Sequence, residues 1–124
     1  KKLPRAIQRR KKITERYEYH LINISGLKLL KRKPDVEYNY AYFPVLVDGF
    51  KKDRETIIED LANEGIEARR YFYPLVSDFE AYNNQFDSNR TPIAKYVSDH
   101  ILTLPLHPYL RKKDVDRICK IILN

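Results

Sequence analysis

Apolar residues along this chain keep two different periods, and the switches between them limit the possible fold more than any other feature. Leu3, Ile7, Ile13, Tyr17, Leu21 and Ile24 recur mostly at three- and four-residue steps, the spacing of one helical face, with Pro4 suited to a first turn. We read residues 3–24 as a long amphipathic helix stopped by Ser25-Gly26, because glycine accepts the left-handed conformation that follows a last turn. Its polar side is basic, with Arg5, Arg9, Arg10, Lys11, Lys12 and Arg16, and residues 27–34 read as a basic connector.

From Tyr38 the period changes. "YNYAYFPVLVD" is dense in aromatic and β-branched residues and predicts a strand, with Pro44 marking an edge or a bulge. Asp53 caps a second helix over residues 54–64, which Gly65 and the apolar Ile66 close. Residues 66–73 are again extended. Thr91-Pro92 opens a short helix toward His100, "ILTLPLHP" gives a strand broken by Pro105 and Pro108, and residues 114–123 form a terminal helix with Val115, Ile118, Cys119 and Ile122 on one stripe. This order predicts an α+β domain in which helices cover a small antiparallel or mixed sheet.

The composition excludes several function classes. A single cysteine cannot make a disulfide framework, and His20, His100 and His107 are too scattered for a zinc site, so Cys119 is expected to be a buried, inert thiol. No apolar run reaches the roughly 18 residues of a membrane span, and the first residues lack the apolar stretch of a secretory signal, so the expected setting is cytoplasmic with no membrane partner. The formal charge of +7 favours an anionic partner.

Candidate chemistry concentrates in "EARRYFYPLVSDF". Strand alternation sends Arg69, Tyr71 and Tyr73 to one face and Arg70 and Phe72 to the other. Guanidinium groups meet phosphate oxygens two at a time, and phenols both hydrogen-bond and pack on rings, which suits a phosphate-bearing ligand. The same pattern also describes an exposed edge strand. No nucleophile elbow, glycine-rich phosphate loop or carboxylate pair beside a histidine is present, so no catalytic residue is assigned. Two other readings stay open: a nucleic-acid-binding module using the basic first helix and a Tyr38, Tyr40, Tyr42 stacking face, and a protein-interaction module.

"NYAYFPVLVD", "LANEGIEARRYFYPLVSDFEAY" and "TPIAKYVSDHILTLPLHPYLRKKDVDRICKII" resemble, in order and spacing, the C-terminal small domain of DegT/StrS-type sugar-nucleotide aminotransferases. "RAIQRRKKITERYEYHL" is similar to that family's linking helix. The resemblance implies a type I fold, with residues 1–26 linking an upstream large domain to a small domain over residues 27–124. It implies a homodimeric parent enzyme that uses pyridoxal phosphate to move an amino group, usually from glutamate, onto a nucleotide-linked keto sugar. Nucleic acid is not a partner on this reading.

It also implies that this chain is a fragment, inactive alone, with no cofactor expected on it. No lysine here stands in the family's serine-plus-lysine context, and the Asn-x-Arg stretch ahead of the linking helix is absent. The carried-over substrate-binding residues are Arg69, Arg70, Tyr71 and Tyr73. Many members have histidine where this chain has Tyr71, and "RRYFYPL" is closer to the branch acting at carbon 3 of thymidine-diphosphate sugars. Phe43 and Phe72 are expected to be surface that the absent domain covers.

Overall fold

The computed structural model describes residues 2–71 and 88–124. Within them run α1 (Lys2–Leu21), β1 (Leu27–Leu29), β2 (Phe43–Val47), α2 (Arg54–Asn63), β3 (Arg69–Arg70), a 3-10 turn (Ser88–Arg90), α3 (Pro92–His100), β4 (Ile101–Leu104) and α4 (Lys112–Leu123). The strands form one sheet in the order β1-β2-β4-β3, and every neighbouring pair is antiparallel. The fold is therefore α+β with an antiparallel sheet.

Pairing fixes which side chains share a face. Val45 lies opposite both Leu29 and Leu102, Phe43 opposite Leu104, and Val47 opposite Leu27. This set turns toward the helices. It joins Ile13, Tyr17 and Leu21 of α1, Ile57 and Leu61 of α2, and Val115, Ile118, Cys119 and Ile122 of α4 in one core. Truncating a fully buried member such as Leu61 to alanine costs about 2–5 kcal/mol. The opposite face of the sheet carries Pro44, Leu46, Ile101 and Thr103, all half-buried. No helix among the described residues is long and apolar enough to cross a membrane.

Local chemistry explains the helix ends. The Asp53 carboxylate accepts the Thr56 amide at 2.7 Å, satisfying one of the free donors at the start of α2. At its other end the Ile66 and Gly65 amides reach back to the Leu61 and Ala62 carbonyls at 2.8 and 3.0 Å, with Gly65 at φ 76°. That is the paired-bond stop expected from Gly65-Ile66. At α4, Asp114 accepts the Arg111 amide at 3.0 Å, so the helix begins at Lys112, two residues earlier than the apolar stripe alone indicates.

Four expectations are corrected. Helix α1 ends at Leu21, with Asn23 at φ 64° past its last turn, and Gly26 serves the entry to β1 instead. A Cβ on Gly26 would lie 2.1 Å from the Phe50 backbone nitrogen, so only glycine fits there. Residues 27–29, expected in a connector, form edge strand β1, which is too short to display an alternating pattern. Residues 38–42, expected in a strand, do not pair: the ladder starts at Phe43, and Tyr40 sits at φ 53°. Phe43 itself, expected at the surface, is 4% exposed and stacks on Tyr17 at 4.7 Å.

Candidate functional site

Strand β3 lies at an edge of the sheet, paired only to β4 among the described residues, with Arg69 opposite Thr103 and Arg70 opposite Leu102. Because Leu102 is a core residue, Arg70 stands on the helix side of the sheet and Arg69 on the other. The expected separation of the two arginines is present. Their surroundings differ sharply.

Arg70 leans onto the first turn of α2, where its Nε donates to Glu55 Oε1 at 3.0 Å and its Nη2 donates to Glu55 Oε2. Glu55 also accepts from Arg54 Nε at 3.0 Å. The carboxyl group is held below its ordinary range, first by Arg70 and then by Arg54. Arg69 makes an ion pair with Glu67 at 3.1 Å, two residues back, and both side chains are 73% exposed. An exposed pair of this kind holds its partners weakly, so the Arg69 guanidinium is open to another anion.

Tyr71 follows β3 and is half-buried, its ring 5.7 Å from that of Tyr42. The two rings line a cavity of about 380 Å³ together with Tyr38, Tyr40, Pro44 and Ile101. Arg10 binds the Asn39 carbonyl from α1 at 2.9 and 3.2 Å, and Tyr38 Oη accepts the Lys33 amide at 2.8 Å, which fixes the tyrosine-rich loop over the cavity. At the rim Arg32 and Glu18 form a two-bonded pair at 2.6 and 2.9 Å. Thr14, 5% exposed, also contributes to the lining, and its Oγ1 is a buried hydroxyl without a partner among the described residues.

Four phenols around an apolar space suit a ring-bearing ligand, and the exposed Arg69, two residues before Tyr71, suits an anionic group. Among the described residues the lining holds no lysine, histidine or cysteine, and its one carboxylate, Glu18, is engaged by Arg32. Such a surface is suited to binding and orienting a ring-bearing ligand. Pyridoxal phosphate needs an amine for its tether, and these lining residues provide none.

Of the residues marked in the sequence, Tyr71 lines the cavity, Arg69 stands on the face of the sheet away from the helices but is not among the cavity-lining residues, Arg70 is drawn to α2, and Tyr73 and Phe72 lie outside the described residues. Tyr38, Tyr40 and Tyr42 do meet, but around a loop-lined cavity and not as a strand face, which removes the flat stacking platform of the nucleic-acid reading. Glu55 and Thr14 carry no mark in the sequence reading. Glu55 has one sequence signal, an acid in the first turn after the Asp53 cap, and that signal equally describes an ordinary helix start.

Residues 1–123 match the DegT/DnrJ/EryC1/StrS aminotransferase family. The chain belongs to that family. A relative from Escherichia coli, dTDP-4-amino-4,6-dideoxy-D-glucose transaminase, is 34% identical over 122 residues, covering 96% of this chain and 33% of the relative. The aminotransferase TlmJ from Streptoalloteichus hindustanus superposes with a TM-score of 0.83 at 26% identity, over 97% of this chain and 31% of that one. DesI, solved in the presence of its TDP-sugar product, shares the fold with a TM-score of 0.87 at 24% identity, over 96% of this chain and 31% of that one. The chain thus spans about a third of the length of the family members it resembles.

Proposed function

We propose that this chain is the C-terminal part of a longer sugar-nucleotide aminotransferase, in which it forms one wall of the substrate pocket. The observation that carries this reading is the 34% identity, across nearly the whole chain, to a transaminase named for a dTDP-linked amino sugar. The enzyme moves an amino group from glutamate onto a dTDP-linked keto sugar, as a homodimer whose upstream domain precedes the linking helix of residues 1–26. Pyridoxal phosphate supplies the electron sink. On this reading the cofactor is held by the upstream part of the protein, because no lysine of this chain stands in the family's serine-plus-lysine context, and this chain alone is inactive.

The residues here act on the substrate side. Arg69 offsets negative charge, on the diphosphate or on the donor's carboxylate, with two donors in one plane. Tyr71 packs beside the sugar and orients it through its phenol. Tyr42, 64% exposed across from Tyr71, contributes ring surface to the same wall. Tyr73 continues the strand pattern and is kept as a substrate contact on the sequence alone.

The test is to express the longer protein and this chain side by side with pyridoxal phosphate, recording the visible band and its loss on borohydride reduction. Turnover is then followed with glutamate and dTDP-linked 4-keto and 3-keto sugars. A reducible band and an amino-sugar product from the longer protein only is the expected result. The relative's name favours carbon 4 and the "RRYFYPL" pattern favours carbon 3, so the two acceptors decide the branch. A longer protein that neither binds the cofactor nor turns over would sink the reading.

A further inference from the structure

We propose that Glu55 is a positioning residue that assigns different tasks to the two arginines of β3: it anchors Arg70 to α2 and so holds Arg69 on the face of the sheet away from the helices and Tyr71 against the cavity. This rests on the functional reading above for its consequence in turnover, but not for its structural content.

Among the described residues β3 is a two-residue strand with a ladder on one side, and a ladder by itself opposes rotation about the strand axis only weakly. Glu55 supplies a further constraint from the helix side. Its carboxylate takes both donors of the Arg70 fork, a geometry that sets the guanidinium plane as well as its distance. Strand alternation then leaves Arg69 the opposite face, and Tyr71 leaves the strand end to line the cavity.

Glu55 is itself held. Arg54, 6% exposed, donates to Glu55 while its Nη1 donates to the Ser98 carbonyl and, at 3.3 Å, to the Ile101 carbonyl. Ser98 lies in the last turn of α3, where exposed carbonyls favour a cation, and Ile101 opens β4. One carboxylate therefore connects β3 to the start of the strand it pairs with, through a buried arginine. Arg70 thereby becomes a structural cation and not a substrate contact, in contrast to the expectation from sequence.

The experiment is a double-mutant cycle in the longer protein with Glu55→Gln and Arg70→Gln, read as KM for the sugar nucleotide, kcat and melting temperature. Positioning predicts that each single change raises KM about tenfold with little change in kcat, and that the double variant is no worse than the poorer single one. Glu55→Asp, which keeps the carboxylate, should recover part of the loss. If Arg70→Gln costs far more than Glu55→Gln and the effects add, Arg70 touches substrate and the inference fails. Equal melting-temperature losses with unchanged KM overturn it too, leaving a stabilising pair only. Wild-type protein without turnover would sink the functional reading alone. The inference is then decided by hydrogen exchange: Glu55→Gln should speed the amides of residues 69–71 about tenfold while those of β1 and β2 stay protected. Unchanged exchange there refutes it.

Discussion

Tyr17 of α1 lies nearly parallel to Phe43 of β2, with ring centroids 4.7 Å apart and planes 22° from parallel. Its hydroxyl donates to the Pro105 carbonyl at 2.7 Å. One fully buried side chain thus joins the first helix, the second strand and the end of the fourth. Burial pushes the phenol well above its ordinary range, so it remains a donor at any pH the protein meets. Tyr17→Phe keeps the stacking and orphans a carbonyl, and should cost about 1–2 kcal/mol in chemical denaturation. A loss below half of that would mean the Pro105 carbonyl finds water.

Asp116 of α4 accepts from Arg16 at 2.7 and 3.1 Å and meets His20 Nε2 at 2.6 Å, closing α1 onto α4. Arg16, and then His20, hold its carboxyl down to about 2, below the ordinary 3.8. A folded value below the unfolded one stabilises the fold above the ordinary value, and that stability is lost as pH falls through the folded one. The melting temperature of the wild type should therefore exceed that of Asp116→Asn at neutral pH. The gap should close as pH drops from 3.8 toward 2. A pH-independent gap would show that shape, and not charge, makes this contact.

Cys119 is 1% exposed, and burial, reinforced by Asp116, pushes its thiol up to about 12. Iodoacetamide at pH 8 should leave it unmodified in the native protein and label it fully in denaturant, because the thiolate is the reactive form. Rapid native labelling would mean that α4 opens readily.

Gly26→Ala forces a side chain onto the Phe50 backbone and a positive φ onto alanine at once. Backbone atoms cannot step aside as a flexible side chain can, so the loss should be ~2 kcal/mol or more. The same substitution at Gly49, also at positive φ but with nothing within 4 Å, should cost less. Thermal melts of the two variants make the comparison.

Arg69→Ala in the longer protein should raise KM for the charged substrate about tenfold with the melting temperature nearly unchanged, since an exposed cation adds little to stability. Steady-state kinetics alongside a melt separates the two effects. An unchanged KM would remove Arg69 from the pocket.

The helices are legible in the sequence because their signals are local. The Asp53 cap, the Gly65-Ile66 stop and the stripe through Val115, Ile118, Cys119 and Ile122 each involve residues within a turn or two, and each is found as expected. Strand limits are less legible, because whether a residue pairs depends on what lies across the sheet. Lys28 between Leu27 and Leu29 reads as part of a basic connector until Val45 and Val47 are known to face those leucines. Tyr40 belongs to a strand-like run, yet its positive φ takes it out of any ladder.

The candidate site divides in the same way between local and long-range signals. Arg69 and Tyr71 stand out by residue type, whereas the capture of Arg70 by Glu55, fifteen residues earlier, requires α2 and β3 to be folded against each other. The Thr14 hydroxyl beside the cavity has no sequence signal at all, since a threonine in a helix looks the same whatever surrounds its side chain.

The sheet order has a consequence for how the chain is made. Strand β4, the last of the four described strands in sequence, lies between β2 and β3, so neither β2 nor β3 has its central neighbour until residues 101–104 have been synthesised. Until α4 follows, Phe43, Val45, Ile57 and Leu61 also lack the apolar stripe they pack beside. Synthesis at about 5–20 residues per second leaves that surface uncovered for seconds, the interval in which a nascent chain depends on chaperones.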